Sequence, residues 1–158
     1  MTGAPTPTLI LLALLAAALV TAATTDLRER IIWDRLNLAI ALSAPAFWWA
    51  TGLDPWPGMA LQLALGAAVF AMFAGLFAVG MMGGGDVKLL GALALWLPLG
   101  PLIELLFLMA VGGGVLTIVM IVWHRIRPAE GAIEVPYGVA IAGAGLWVLG
   151  TRYLNQFV

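Results

Sequence analysis

Of 158 residues, 63% are hydrophobic and only 9% are charged, whereas soluble domains average about 25% charged residues. With a mean hydropathy of +1.08 this balance excludes a soluble enzyme and a disordered tail, and a net charge of −1 leaves no basic field for nucleic acid. No cysteine is present, so no disulfide, thiolate zinc site or cysteine nucleophile is available.

A membrane span takes about 20 mostly apolar residues. The first predicted span covers residues 8–24. Its flank, MTGAPTPT, lacks the basic start of a cleaved signal peptide, so it reads as a helix of the mature protein. A second span covers 36–53 and a third 59–82, along which Ala67, Ala71 and Gly75 recur every four residues as a small face for helix packing. The fourth, 87–97, is short and stops at Pro98 and Pro101. The fifth covers 102–123, with Gly112-Gly113-Gly114 permitting a kink or a close backbone approach, and the sixth covers 136–153, with Pro136 suited to its first turn. The expected fold is all-α and polytopic, with about six transmembrane helices in a single integral-membrane domain over residues 1–158.

Loop charge orients the spans. Arg28, Arg30, Arg35, Lys88, Arg125 and Arg127 fall on one side of a six-span topology, and only Arg152 on the other. By the positive-inside rule that side is cytoplasmic and both termini are extracytoplasmic. Trp33, Trp48, Trp49, Trp56 and Trp123 lie near span ends, as an aromatic belt does.

Acids at membrane depth are costly and therefore mark function. Asp54 and Glu104 read as helix-start residues favoured by the dipole, and Glu130 and Glu134 as solvated loop residues. The single histidine, His124, sits among basic residues at a span end and reads as an interface residue. No metal or cofactor site is expected. Asp26, closing span one, and Asp86, after Gly83-Gly84-Gly85, remain; the topology brings both to cytoplasmic helix ends. Two carboxylates held together can share a proton, so that one activates water and the other polarises a peptide carbonyl. The plain reading is that Asp86 is an N-cap and Asp26 pairs with Arg28 or Arg30.

Gly83-Gly84-Gly85-Asp86 fits the Gly-x-Gly-Asp signature of intramembrane aspartyl proteases, and with Val87-Lys88-Leu89-Leu90-Gly91-Ala92 it resembles the prepilin peptidase family. Asp26-Leu27-Arg28-x-Arg30 resembles that family's first aspartate motif, and Val135-Pro136-Tyr137-Gly138-Val139-Ala140 its final-helix opening. The likeness covers nearly the whole chain and is nearest to the small branch serving Flp-type, tight-adherence pili. It implies a peptidase of the bacterial inner membrane that cleaves a prepilin leader after a glycine, at the cytoplasmic face. Asp26 and Asp86 would be the catalytic pair, with Gly83, Gly85 and Lys88 binding substrate or supporting the loop.

Two departures matter. The family's first motif usually continues Ile-Pro-Asn, whereas Ile32 here is followed by Trp33 and Asp34, which makes Asp34 a rival first acid. The cysteine-rich segment of larger, methylating relatives is absent, so peptidase activity alone is expected, without an N-methyltransferase. A small transporter or pilus-assembly subunit would fit the composition, but transporters place acids near the midplane and often show inverted repeats. Neither feature is visible. A signal-peptide-peptidase relative would carry Tyr-Asp and Pro-Ala-Leu, both missing here, and an archaeal preflagellin peptidase is a further alternative. Neither the oligomeric state nor the identity of the prepilin is encoded in any motif.

Overall fold

The computed structural model describes residues 6–126 and 135–154. Six α-helices follow one another: α1 (Thr6–Glu29), α2 (Asp34–Ala50), α3 (Ala60–Ala78), α4 (Gly84–Trp96), α5 (Leu99–Ile126) and α6 (Tyr137–Leu149). Short π-helical turns, Pro55–Met59 and Gly150–Leu154, lead into α3 and out of α6. The protein is an all-α polytopic membrane protein, and α1, α5 and the continuous stretch Pro55–Ala78 are long and apolar enough to cross a bilayer.

Helix length and burial run in opposite directions. At 1.5 Å per residue, the 13 residues of α4 or α6 reach only about 20 Å, less than a hydrocarbon core of about 30 Å. Yet nine of the 13 residues of α4 are buried and eight of the 13 in α6, against four of the 28 in α5. The short helices are therefore the centre and the long ones the lipid-facing wall. Helix α4 packs against α2 and α3, α6 packs against α1 and α5, and the two central helices meet each other.

Because a bilayer offers no water to a helix end, the ends of α4 must find partners within the protein. Gln62 donates to the carbonyls of Ala94 and Leu97, both at 2.7 Å, and Trp48 Nε1 donates to Leu95 O at 2.7 Å. Trp96 Nε1 returns a bond to Ile40 O at 2.8 Å. Trp48 is thus a core residue, buried to 4% exposure, and not part of an aromatic belt.

Several sequence expectations move. The buried face of α3 is Gln62, Gly66, Val69 and Phe73, so the Ala67–Ala71–Gly75 stripe faces outward, one residue round the helix. Close packing rests instead on Gly66 and Gly91, where a methyl group would strike Leu95 and Phe70, the latter at 2.9 Å. Of the two expectations for Gly112-Gly113-Gly114, the kink is absent, since α5 runs unbroken through them, and the close approach is present, since Gly113 makes room for the Tyr137 ring. Glu104 is not in the first turn of α5 and binds Arg152 at 2.7 Å, tying α5 to the end of α6. Pro136 is the N-cap of α6 and not its first helical residue. Arg127, Glu130 and Glu134 lie outside the described residues.

Candidate active site

Asp26 lies in the last turns of α1, 6% exposed. Arg30 follows with φ 55°, and its N–H bonds Asp26 O at 3.1 Å. This left-handed cap closes the helix and turns the chain so that Ile32 is buried beneath the glycine loop and the start of α6.

The N-cap of α6 is Pro136, which has no side-chain oxygen to cap the N–H groups of the first turn. Asp26 takes that role from another helix: its Oδ2 accepts the Val139 N–H at 3.1 Å. Gly138 is what allows the approach. A Cβ there would lie 2.8 Å from Asp26 Oδ2 and 2.7 Å from Ile32 Cδ1. The predicted final-helix motif thus contributes through the Gly138 gap and the Val139 amide, contacts that helical periodicity does not disclose.

Asp86 sits in the first turn of α4, ahead of the apolar run that starts at Val87. It is not the N-cap. Gly83 holds that position, and the Asp86 carboxylate reaches back to the Gly83 N–H, the N3-to-N-cap half of a capping box. Burial, reinforced by the negative charge of nearby Asp26, pushes the Asp86 carboxyl up to about 7 against the opposing Gly83 bond. Both aspartates line one cleft of about 220 Å³ together with Arg30, Asp34 and Gly83-Gly84-Gly85. A buried pair of this kind can hold one proton between two carboxylates near neutral pH.

Asp34 stands apart. It forms a 2.6 Å ion pair with Lys88, and its side chain is 72% exposed. Lys88 is thereby engaged with Asp34. No ion pair joins Asp26 to Arg28 or Arg30 among the described residues. Asn37, which no sequence motif singles out, is 3% exposed and donates to Gly85 O at 3.1 Å, pinning the start of α2 to the glycine loop. The signal for it is an amide one helical turn beyond position 34.

The glycines act within the protein. None of Gly83, Gly84 and Gly85 has positive φ; that conformation occurs at Gly52 and Gly80. Cβ atoms would instead meet Asp86 Oδ2 at 2.9 Å from position 83, the edge of the Phe77 ring at 3.3 Å from 84, and Ile32 Cβ at 3.2 Å and Ile32 O at 3.4 Å from 85. A ring edge can swing aside, whereas Ile32 backbone cannot. Gly85→Ala should therefore lower turnover strongly, Gly84→Ala mildly and Lys88→Gln by an intermediate amount, in a cleavage time course at matched expression. Equal activity of the two glycine variants would show the loop to be a flexible link.

These features define the class: an all-α membrane protein with two buried aspartates facing one cleft at the ends of packed helices. A sequence profile of the type IV leader peptidase family matches residues 13–118, about two thirds of the chain, and the chain belongs to that family. The match includes Asp26, Asp86 and the glycine loop and ends before α6. No curated protein and no solved structure matches the chain. Membership makes it a peptidase of the prepilin leader type, with a prepilin as substrate.

Proposed function

We propose that the protein is an aspartyl endopeptidase that cleaves the leader of a Flp-type prepilin after a glycine, with Asp26 and Asp86 as the catalytic pair. The observation that carries this reading is the shared cleft: two buried carboxylates from helices 60 positions apart, close enough for the charge of one to oppose ionisation of the other. Asp26, which accepts the Val139 N–H, is the ionised base and takes a proton from water. Asp86 carries the shared proton and polarises the scissile carbonyl. Water oxygen adds to the carbonyl carbon, the C–N bond breaks, and the departing amine takes up a proton. Gly83 and Gly85 support the Asp86 turn, and Lys88, ion-paired with Asp34 beside the cleft, supports the loop. The residues 1–158 act as one membrane domain, in the bacterial inner membrane with the cleft at the cytoplasmic face, without methyltransferase activity.

The test is cleavage by purified protein as a function of pH, with and without EDTA. Protonation of both carboxylates at low pH removes the base. Raising pH through about 7, where Asp86 loses its proton, removes the acid. The rate should trace a bell with its alkaline limb near neutrality and be indifferent to EDTA; a monotonic profile, or loss restored by zinc, contradicts the dyad. For the sidedness, cysteines placed at Trp33 or Ala129 should react only from the cytoplasm, and one at Trp56 only from outside. Ala129 lies outside the described residues, and its labelling from outside would remove the six-span topology.

A further inference from the structure

A cavity of about 560 Å³ beside the aspartate cleft lies where α2 and α3 both pack on α4 but scarcely touch each other. It has the form of a slot for one more helix. Helix α2 lines it with Asp34, Leu38 and Ala41, and α4 floors it with Lys88, Ala92 and Leu95, each in steps of four and three residues. That step is one face of an α-helix over two turns. The second wall is the matching face of α3 from Leu63 to Phe70.

Polarity is confined to one end. Asp34 and Lys88 head their stripes, and Asp34 also lines the cleft that holds Asp26 and Asp86, so slot and cleft adjoin at that residue. Asn37 stands at the same end, and its Oδ1 is buried without a hydrogen-bond partner. Beyond that end every lining side chain is apolar or glycine. A peptide segment entering such a slot inside a bilayer must satisfy its own backbone, and a helix does so.

We propose that this slot docks an apolar helical segment of the substrate that adjoins the scissile bond, its polar end at Asp34 and Lys88. The assignment rests on the peptidase reading above and adds how the bond is delivered. Chain leaving the cleft past Asp34 enters the slot directly, in the helix-in-groove mode.

Trp at position 67 or 41, in Ala67→Trp and Ala41→Trp, fills the slot without touching the cleft. The experiment compares a full-length Flp-type prepilin in proteoliposomes with a short peptide that carries the leader and scissile bond but no apolar segment. Both variants should raise KM for the full-length substrate at least about tenfold, the scale of a disturbed apolar pocket contact, with kcat little changed and short-peptide cleavage equal to wild type. Unchanged cleavage of the full-length substrate would show that lipid alone occupies the slot and overturn the assignment. Equal loss on both substrates would overturn it too, by showing general damage to the fold. A wild-type protein that cleaves neither substrate would instead refute the peptidase reading on which the slot depends. A photoreactive residue at Leu63, in an Asp86→Asn background, should crosslink to the apolar segment; adducts to lipid alone overturn the proposal independently of turnover.

Discussion

Asp26→Asn and Asp86→Asn should each reduce prepilin cleavage by about 10³-fold or more, the range that a positioned acid or base supplies and about 4 kcal/mol in barrier height. Each amide keeps the shape of the side chain but ends proton sharing. Asn at position 26 retains an oxygen for the Val139 N–H, and Asn at position 86 one for the Gly83 N–H, so expression and membrane insertion should survive both changes. Asp34→Asn should retain substantial activity. It loses an exposed ion pair with Lys88, an interaction worth about 0–1 kcal/mol, and restores the amide usual in the resembled motif. An inactive Asp34→Asn beside an active Asp26→Asn would transfer the base role to Asp34.

Gly138→Ala should be nearly as damaging, although residue 138 carries no reactive group. The new methyl would fall 2.8 Å from Asp26 Oδ2 and 2.7 Å from Ile32 Cδ1, inside van der Waals contact with both. The carboxylate has to leave the α6 amide, or α6 has to move away from α1. Either outcome misplaces the base, and a displacement of about 1 Å can cost on the order of 10²-fold in rate. The loss should appear in kcat more than in KM, because the slot on α2, α3 and α4 lies elsewhere. Activity within about twofold of wild type would show that the Asp26–Val139 contact is not required for turnover.

What the sequence made legible was chemistry carried by residue type. Apolar runs gave six helices because the bilayer demands length and apolarity of each lipid-facing span, and Asp26 and Asp86 stood out because ionisable groups near a membrane are few. Packing was less legible. The visible Ala67–Ala71–Gly75 repeat faces outward while Gly66, one position away, does the packing, since in a helix apolar on all sides hydropathy no longer marks which face is buried. Residues 87–97 fall short of a span for the same reason: lipid-facing length rules do not govern a helix enclosed by others. Asp86 read as an N-cap because cap and third helical position differ by three residues in an all-glycine approach. The Asp26–Val139 bond joins positions 113 apart, a pairing that spacing cannot reveal.

The central claim, leader cleavage by the Asp26–Asp86 pair, is most directly tested by mass spectrometry of a Flp-type prepilin incubated with the purified protein in proteoliposomes. The account predicts a single new product beginning at the residue after the leader glycine, unmethylated, formed by wild type and Asp34→Asn and absent with Asp26→Asn or Asp86→Asn. An intact prepilin after incubation with active-folded wild type, or the same product from Asp86→Asn, would contradict it.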